Sequence, residues 1–324
     1  MRPGHSTVIV GGVTGRAANP RLGYALAVLN MVISGVAIYV NSLGVKMFSD
    51  STLYTALKNS VVGIALLVAL VFSGRSRADW RRLRAREWLL LAIVALIGGS
   101  VSYALYFRGL QLTTPVTASL VDHTQFLLVA IFAALFIGER FGPAVWVALA
   151  ALFAGVTLSI GAGTVQVDAG MPFVAAGTLL FAADFVLMKY LLRTVPALTV
   201  MTFKMSLGSL LLFLFVAAEG KTEGIGQLSL MQWGFAGITG LILLAFSVTS
   251  VLGLRHASAT ATTAIPAGSP IITTGLVVIS RHVEISPWRW LGLSLALLAV
   301  LTVFILGRRQ EQGALQAARK RDAP

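Results

Sequence analysis

Asp122 and His123 are the residues of this chain best suited to chemistry, because they lie inside an apolar stretch where an ionisable group is costly. Asp122 and Gln125 are three residues apart and share a helix face, and His123 is four from Ser119. The four form a polar stripe able to face a wet cavity. A carboxylate and an imidazole placed there can each carry a proton in exchange for a bound molecule. The structural alternative bonds Asp122 to a neighbouring helix and satisfies His123 with a backbone carbonyl. Asp184 is the only other acidic residue well within an apolar stretch. It contacts a ligand, or it pairs with Lys189 or Arg193; Lys189 is five residues on, about 7.5 Å of helical rise.

Lys58 and Lys204 stand 146 residues apart in matching contexts, Thr55-Ala56-Leu57-Lys58-Asn59-Ser60 and Met201-Thr202-Phe203-Lys204-Met205-Ser206. Such a pair suits carboxylate binding from two sides. Each lysine is also close enough to the end of its stretch to snorkel, about 10 Å, to headgroups or water. Asn30, Tyr39 and Tyr103 are further candidate cavity groups, with interface anchoring as the competing role. Pro266 and Pro270, four apart, break helix hydrogen bonds and form either a hinge with free carbonyls or a static kink.

The elements that must position these residues are long and apolar. Of 324 residues 57% are hydrophobic and 11% charged, and the mean hydropathy is +0.86; an ordinary soluble domain carries about 25% charged residues. Ten runs approach 20 residues: 22–45, 53–73, 88–108, 114–137, 144–162, 172–192, 197–218, 231–252, 259–280 and 288–306. Bilayer offers no water to backbone groups, so the runs are helices. They are continuous rather than alternating, which disfavours a β-barrel. The fold class is an all-α polytopic membrane protein with ten transmembrane helices.

A net charge of +13 raises nucleic acid as a partner, but the distribution of the charge excludes it. Of the 25 Lys and Arg, most fall in every second connection, above all in the 74–87 loop and the C-terminal tail; Lys46, Arg108, Lys221, Arg281 and Arg289 lie on the other side. The positive-inside rule then places both termini in the cytosol of a cell inner (plasma) membrane. The absence of cysteine excludes disulfides and thiolate metal sites. Histidines 5, 123, 256 and 282 are too scattered for a metal cluster. Gly220-Lys221-Thr222 resembles the end of a phosphate loop, but Phe215 stands where its first glycine is required. No HExxH or GxSxG occurs. These motifs support no metal, cofactor or ATP-driven reading, and connections other than 74–87 are too short for a soluble catalytic domain, so the expectation is a protein that is not an enzyme.

A stretch of about thirty residues occurs twice. Gly109-Leu110-Gln111 opens one copy, which ends at Gly138-Glu139-Arg140; Gly253-Leu254-Arg255 opens the other, which ends at His282-Val283-Glu284. The offset, 144 to 145 residues, is close to half the chain. Ten spans in two copies make five per half, and an odd number forces the second half to enter the membrane upside down. Inverted repeats are typical of secondary transporters, whose substrate site lies near the midplane between the halves. The expected organisation is a disordered cytosolic tail (1–21), a first repeat (22–162), an outer linker (163–171), a second repeat (172–306) and a basic cytosolic tail (307–324). Glu139 and Glu284, each followed by a proline (Pro143, Pro287), are expected to organise a turn and cap the next helix.

These features resemble the EamA-type exporters of the drug/metabolite transporter superfamily. The residues that carry the resemblance are Ala104-Leu105-Tyr106-Phe107-Arg108-Gly109-Leu110 and Leu135-Phe136-Ile137-Gly138-Glu139-Arg140, together with the ten spans and the duplication, over residues 22 to 306. The resemblance implies cytosolic termini, a cavity lined by spans 1, 3, 4, 6, 8 and 9, and export of small metabolites, amino acids or amphipathic compounds. It implies a basic residue at Lys58. Two positions depart from the family pattern: Gln125 stands where a proline is usual in span 4, and span 1 has no tryptophan near Ile33-Ser34-Gly35.

The expected function is therefore export of a small organic metabolite by alternating access, with a proton as candidate coupling ion. Asp122 is the coupling or substrate-orienting group, and Asp184 and Lys58 are secondary contacts. The alternatives are an uncoupled facilitator, a membrane-embedded lipid-modifying enzyme, and a non-transporting sensor. The partners are the substrate and the lipid bilayer; homodimerisation is left open.

Overall fold

The apolar runs fold as helices wherever the chain is described, which in this computed structural model is residues 19–44, 47–48, 50–73, 82–160, 167–281 and 285–321. Glu284, expected to cap a helix, lies outside the described residues. Ten candidate spans result. Helices α1 (Pro20–Gly44) and α2 (Ser51–Phe72) are followed by α3, in two pieces (α3a, Ala85–Leu96; α3b, Ser102–Leu112) joined by a π-turn at Ile97–Val101. Span 4 is also divided, into α4a (Pro115–Asp122) and α4b (Gln125–Phe136). Then come α5 (Pro143–Ile160), α6 (Met171–Leu191), α7 (Ala197–Ala218) and α8 (Leu230–His256). Span 9 is α9a (Ala259–Ala264), a 3-10 turn at Pro266–Gly268, and α9b (Ser269–Arg281); α10 is Pro287–Arg321. Helix α10 thus continues well into the stretch expected to be a separate tail. Large apolar side chains such as Phe72, Leu135, Phe136 and Ile279 face outward, as a lipid-facing surface requires.

Helix partners display the inverted duplication directly. Helix α1 packs on α8 and α9b, and its counterpart α6 packs on α3b and α4b. The two most extensive contacts, α5 with α10 and α2 with α7, each join a helix to its own repeat partner. Even tight crossings repeat: a Cβ on Gly23 would lie 2.7 Å from Ala257, and one on Gly170, 147 residues later, 2.7 Å from Thr113. The protein is ten transmembrane helices in two inverted five-helix repeats.

Helix ends follow local chemistry. Thr114 caps α4a and Ser258 caps α9a, each by accepting an amide three residues on, at 3.2 Å. Asp50 accepts from the amides of Thr52 and Leu53, both at 2.8 Å, and Lys221 sits 2.9 Å from the same carboxylate. Burial alone would raise Asp50; the Leu53 amide, the Lys221 ammonium and the Thr52 amide outweigh it and hold the carboxyl below its ordinary range. A carboxyl lowered in the folded state stabilises above its unfolded pKa, about 3.9, and loses that contribution as pH falls through the folded value. Asp50→Ala is expected to cost about 1 kcal/mol at neutral pH, read as a lower thermal midpoint in detergent. Asp50→Asn should retain most of it.

Two groups of helices face each other, α3, α4 and α6 against α1, α8 and α9. Call the face where α1 begins and α10 ends the terminal face. There α4b and α6 pack on α9a, and α6 also meets α8. The symmetry-related pairs on the opposite face are α4a with α9b, α1 with α4a and α1 with α3b. Among the described residues these make no comparable packing. Burial agrees, since all six residues of α9a are buried whereas α9b is half-buried or exposed along most of its length. The space between the groups is closed at the terminal face and open toward the other.

Candidate functional site

Span 4 breaks without a proline, and its own side chains show why. His123 Nδ1 donates to the Ser119 carbonyl at 2.6 Å, and Thr124 Oγ1 donates to the Val121 carbonyl at 2.6 Å. These bonds compete with the helical ladder, as short polar side chains do in helix interiors. The aligned break in span 9 uses proline. Pro266 opens the 3-10 turn and Pro270 is the second residue of α9b, so both occupy first-turn positions where a missing amide is tolerated. At the repeat offset of 145 residues Asp122-His123-Thr124-Gln125 falls on Ala267-Gly268-Ser269-Pro270, so one break falls on the other.

A cavity of about 390 Å³ lies at the two breaks, a volume that suits a small molecule. Asp122, His123 and Gln125 line it from span 4, and Pro266, Ala267 and Ser269 from span 9. Asn30 and Ser34 approach from α1. Helices α2 and α7, absent from the expected lining, supply Lys58 and Lys204. One wall is aromatic: Tyr103 packs on Phe181 and Phe107 at 4.9 and 6.4 Å between ring centres, and Tyr106 on the same two rings. Phe185 and Phe246 extend it. Aromatic side chains at helical spacing in an apolar run read as core or lipid face, so nothing in the sequence singled out Tyr106, Phe107 and Phe181 as cavity-lining groups.

The expected ionisable groups all reach this region, with different partners. Asp122 makes no hydrogen bond among the described residues, so it is not bonded to a neighbouring helix; it borders the cavity. His123 is held through Nδ1, which leaves Nε2 as the ring atom able to take a further proton. Lys58 meets no carboxylate among the described residues, and its ammonium lies 5.2 Å from the centre of the Tyr54 ring. Asn30, 1% exposed, donates at 2.8 Å to both the Phe246 carbonyl and Thr249 Oγ1, tying α1 to α8.

Of the two roles open to Asp184, a pair with Lys189 or Arg193 is not the one it takes. Its Oδ2 holds Lys204 from α7, and Lys204 in turn does not snorkel: it is 9% exposed and Asp184 0%. Lys189 is committed elsewhere, to the Leu254 carbonyl at 2.6 Å and the Ala257 carbonyl, while Arg193 reaches the Ile137 carbonyl at 3.4 Å. Room for the Asp184 carboxylate comes from the π-turn of span 3. Gly98 lies against it so closely that any Cβ would overlap the carboxylate, and Oδ1 finds no partner among the described residues. The symmetric position to Asp184 beside Lys58, 146 residues earlier, is Ile38. This is why the two lysines differ: one is neutralised, the other is not.

The architecture agrees with what the chain resembles. The EamA-like transporter family profile matches twice, over residues 21–161 and 168–305. The chain belongs to the EamA-like transporter family. It is 23% identical over 292 residues to the uncharacterized transporter YyaM of Bacillus subtilis, an alignment covering 82% of this chain and 92% of that protein. An uncharacterized transporter of Archaeoglobus fulgidus is 30% identical over 152 residues, 46% of this chain and 48% of that one. A protein of known crystal structure superposes with a TM-score of 0.73 at 21% identity, covering 90% of this chain and 98% of the other, which shows the shared fold. This EamA-type protein is thus a multi-pass membrane transporter.

For an EamA-type transporter the turn after span 4 is also informative. Gly138, at φ +72°, closes α4b, and Glu139 follows. Glu139 does not cap the next helix as expected. Its carboxylate accepts from the amides of Ala259 and Thr260, at 2.6 and 3.2 Å, and from the Thr260 hydroxyl at 3.1 Å. It therefore caps α9a, in the other repeat. Glu311, which attracted no attention in the sequence, accepts from the Ser258 amide at 3.0 Å and the Tyr24 hydroxyl at 3.1 Å.

Proposed function

We propose that this protein is a secondary transporter that exports a small zwitterionic metabolite, an amino acid or a close relative, by alternating access across the inner membrane. The supporting observation is a cavity at two symmetric helix breaks, between helix groups that meet on one face and not on the other. The bias of Lys and Arg supports a cytosolic terminal face. In this arrangement the open face is the outer one.

The charges support the substrate class. With Lys204 neutralised by Asp184, the cavity retains among the described residues one lysine without a carboxylate partner, Lys58, and one carboxylate, Asp122. Lys58 would take the substrate carboxylate, Asp122 its ammonium, and the Tyr103–Phe181 wall an apolar or aromatic side chain. Asp122 then supplies the coupling. It can hold a proton or the substrate ammonium but not both, and mutually exclusive binding at one alternating site is exchange. A proton entering from outside would displace the substrate there, and each net charge moved is worth about 2.3 kcal/mol per 100 mV.

Purified protein in liposomes, loaded with single amino acids and given an inward pH gradient, tests this. Saturable efflux that collapses with the gradient is expected. Efflux indifferent to the gradient would mark an uncoupled facilitator. No flux of any zwitterion would sink the reading and leave the lipid-modifying and sensor alternatives. Lys58→Met should lower the flux about a hundredfold, the loss expected when a desolvated charged contact of about 3 kcal/mol is truncated.

A further inference from the structure

We infer that Glu139 and Lys189 form a latch that holds the terminal face closed, and that its release is the step that opens the cavity to that side. The inference rests on the alternating-access reading. Both residues belong to the α3–α4–α6 group, and both reach across to one connection in the α1–α8–α9 group, Ala257-Ser258. Lys189 places its ammonium on the Leu254 carbonyl in the last turn of α8 and on the carbonyl of Ala257, its C-cap, where the partial negative charge of a 27-residue helix is concentrated. Glu139 takes the first amides of α9a and the Thr260 hydroxyl. Opposite charges thus grip the two sides of a single turn. The turn is braced from its own side by Glu311 on the Ser258 amide and Tyr24 on Glu311, so pulling on it moves α8 and α9 together.

The latch has no complete mirror image. Glu139 corresponds to Glu284, but the positions 146 and 147 residues before Lys189 hold Leu43 and Ser42, neither of them ionisable. An inverted repeat with identical grips on both faces would favour neither closure. Among the described residues a carboxylate and a cation grip one turn together at the terminal face only, which accounts for its closure. It also sets a requirement on the cycle: the terminal side opens only when binding in the cavity offsets the loss of these charge-assisted hydrogen bonds, each stronger than a neutral one.

The chain contains no cysteine, so single-cysteine reporters need no altered background. Ala261→Cys reports the terminal face, since Ala261 is 1% exposed within α9a. Phe107→Cys reports the open side, where Phe107 is half-buried at the cavity. Each reporter is combined with Lys189→Met or Glu139→Gln and labelled by a membrane-impermeant maleimide, in inside-out vesicles for Ala261→Cys and right-side-out vesicles for Phe107→Cys. Relative to the reporter alone, labelling at 261 should rise about tenfold, the equivalent of about 1.4 kcal/mol, while labelling at 107 falls. Unchanged labelling in both latch variants overturns the assignment. So does a rise at both reporters, which signals unfolding rather than a shift between two states. The labelling needs no substrate: flux without a labelling shift removes the latch alone, and absence of flux removes the transport reading alone.

Discussion

Asp122→Asn is expected to abolish proton-driven efflux while substrate-for-substrate exchange continues at a reduced rate. Asp122 is the only carboxylate that lines the cavity among the described residues; the other charged lining groups are Lys58 and Lys204. A proton arriving from the open face therefore has Asp122 and His123 Nε2 as its acceptors. With one proton per substrate, each pH unit of gradient supports about tenfold accumulation, the free energy of 1.36 kcal/mol per unit. The asparagine keeps the shape of the side chain and one hydrogen-bond acceptor but cannot exchange a proton. Accumulation in the variant should fall to unity at any gradient. Equilibrium exchange moves no net proton, so it distinguishes lost coupling from lost binding. His123→Gln is the control; if it rather than Asp122→Asn uncouples the flux, the histidine carries the proton.

The second large effect concerns stability. Asp184 and Lys204 form a buried pair, and removing one partner leaves the other charge without compensation, a loss of about 3–5 kcal/mol. Asp184→Leu and Lys204→Met should each lower the thermal midpoint sharply or prevent recovery of folded protein. The double variant should recover most of the loss, because a pair replaced by apolar residues of similar volume is often neutral or better. Additive losses would mean that the two charges act separately. Asp184→Asn adds a functional readout. It keeps the packing against Gly98 and frees the Lys204 charge, so a second substrate carboxylate should become acceptable and discrimination against dicarboxylic amino acids should fall. Loss of that discrimination without loss of fold is the signature of Asp184 as a specificity determinant for the proposed substrate.

Several features were legible before folding because they depend only on spacing along the chain. Apolar run length reports a span, and a repeat with an odd number of spans reports inversion. Asp122, His123, Lys58 and Lys204 stood out because an ionisable group in an apolar run is costly wherever the run ends up, and Gln125 because it shares a helix face with Asp122. Partners were a different matter. Lys189 is the nearest cation to Asp184 along its own helix, and it still turns away to α8, while the pairing lysine comes from α7. Glu139 sits four residues before Pro143, yet its carboxylate caps a helix 120 residues later in the chain. The break in span 4 was hidden for another reason. Gln125 occupies the usual proline position, and the break comes instead from side-chain bonds of His123 and Thr124 to the backbone, which polar residues make in some contexts and not in others.

By itself, then, the sequence determined the spans, the inverted halves and the short set of ionisable groups that a membrane interior tolerates. Tertiary structure alone decided which lysine is neutralised, where the two breaks meet, and which face is closed. The physical reason is the same in each case. Hydropathy is a property of a segment and survives any arrangement of its neighbours, whereas a buried charge or an open helix end is satisfied by whichever group packing brings within about 3 Å, and that group lies on another helix.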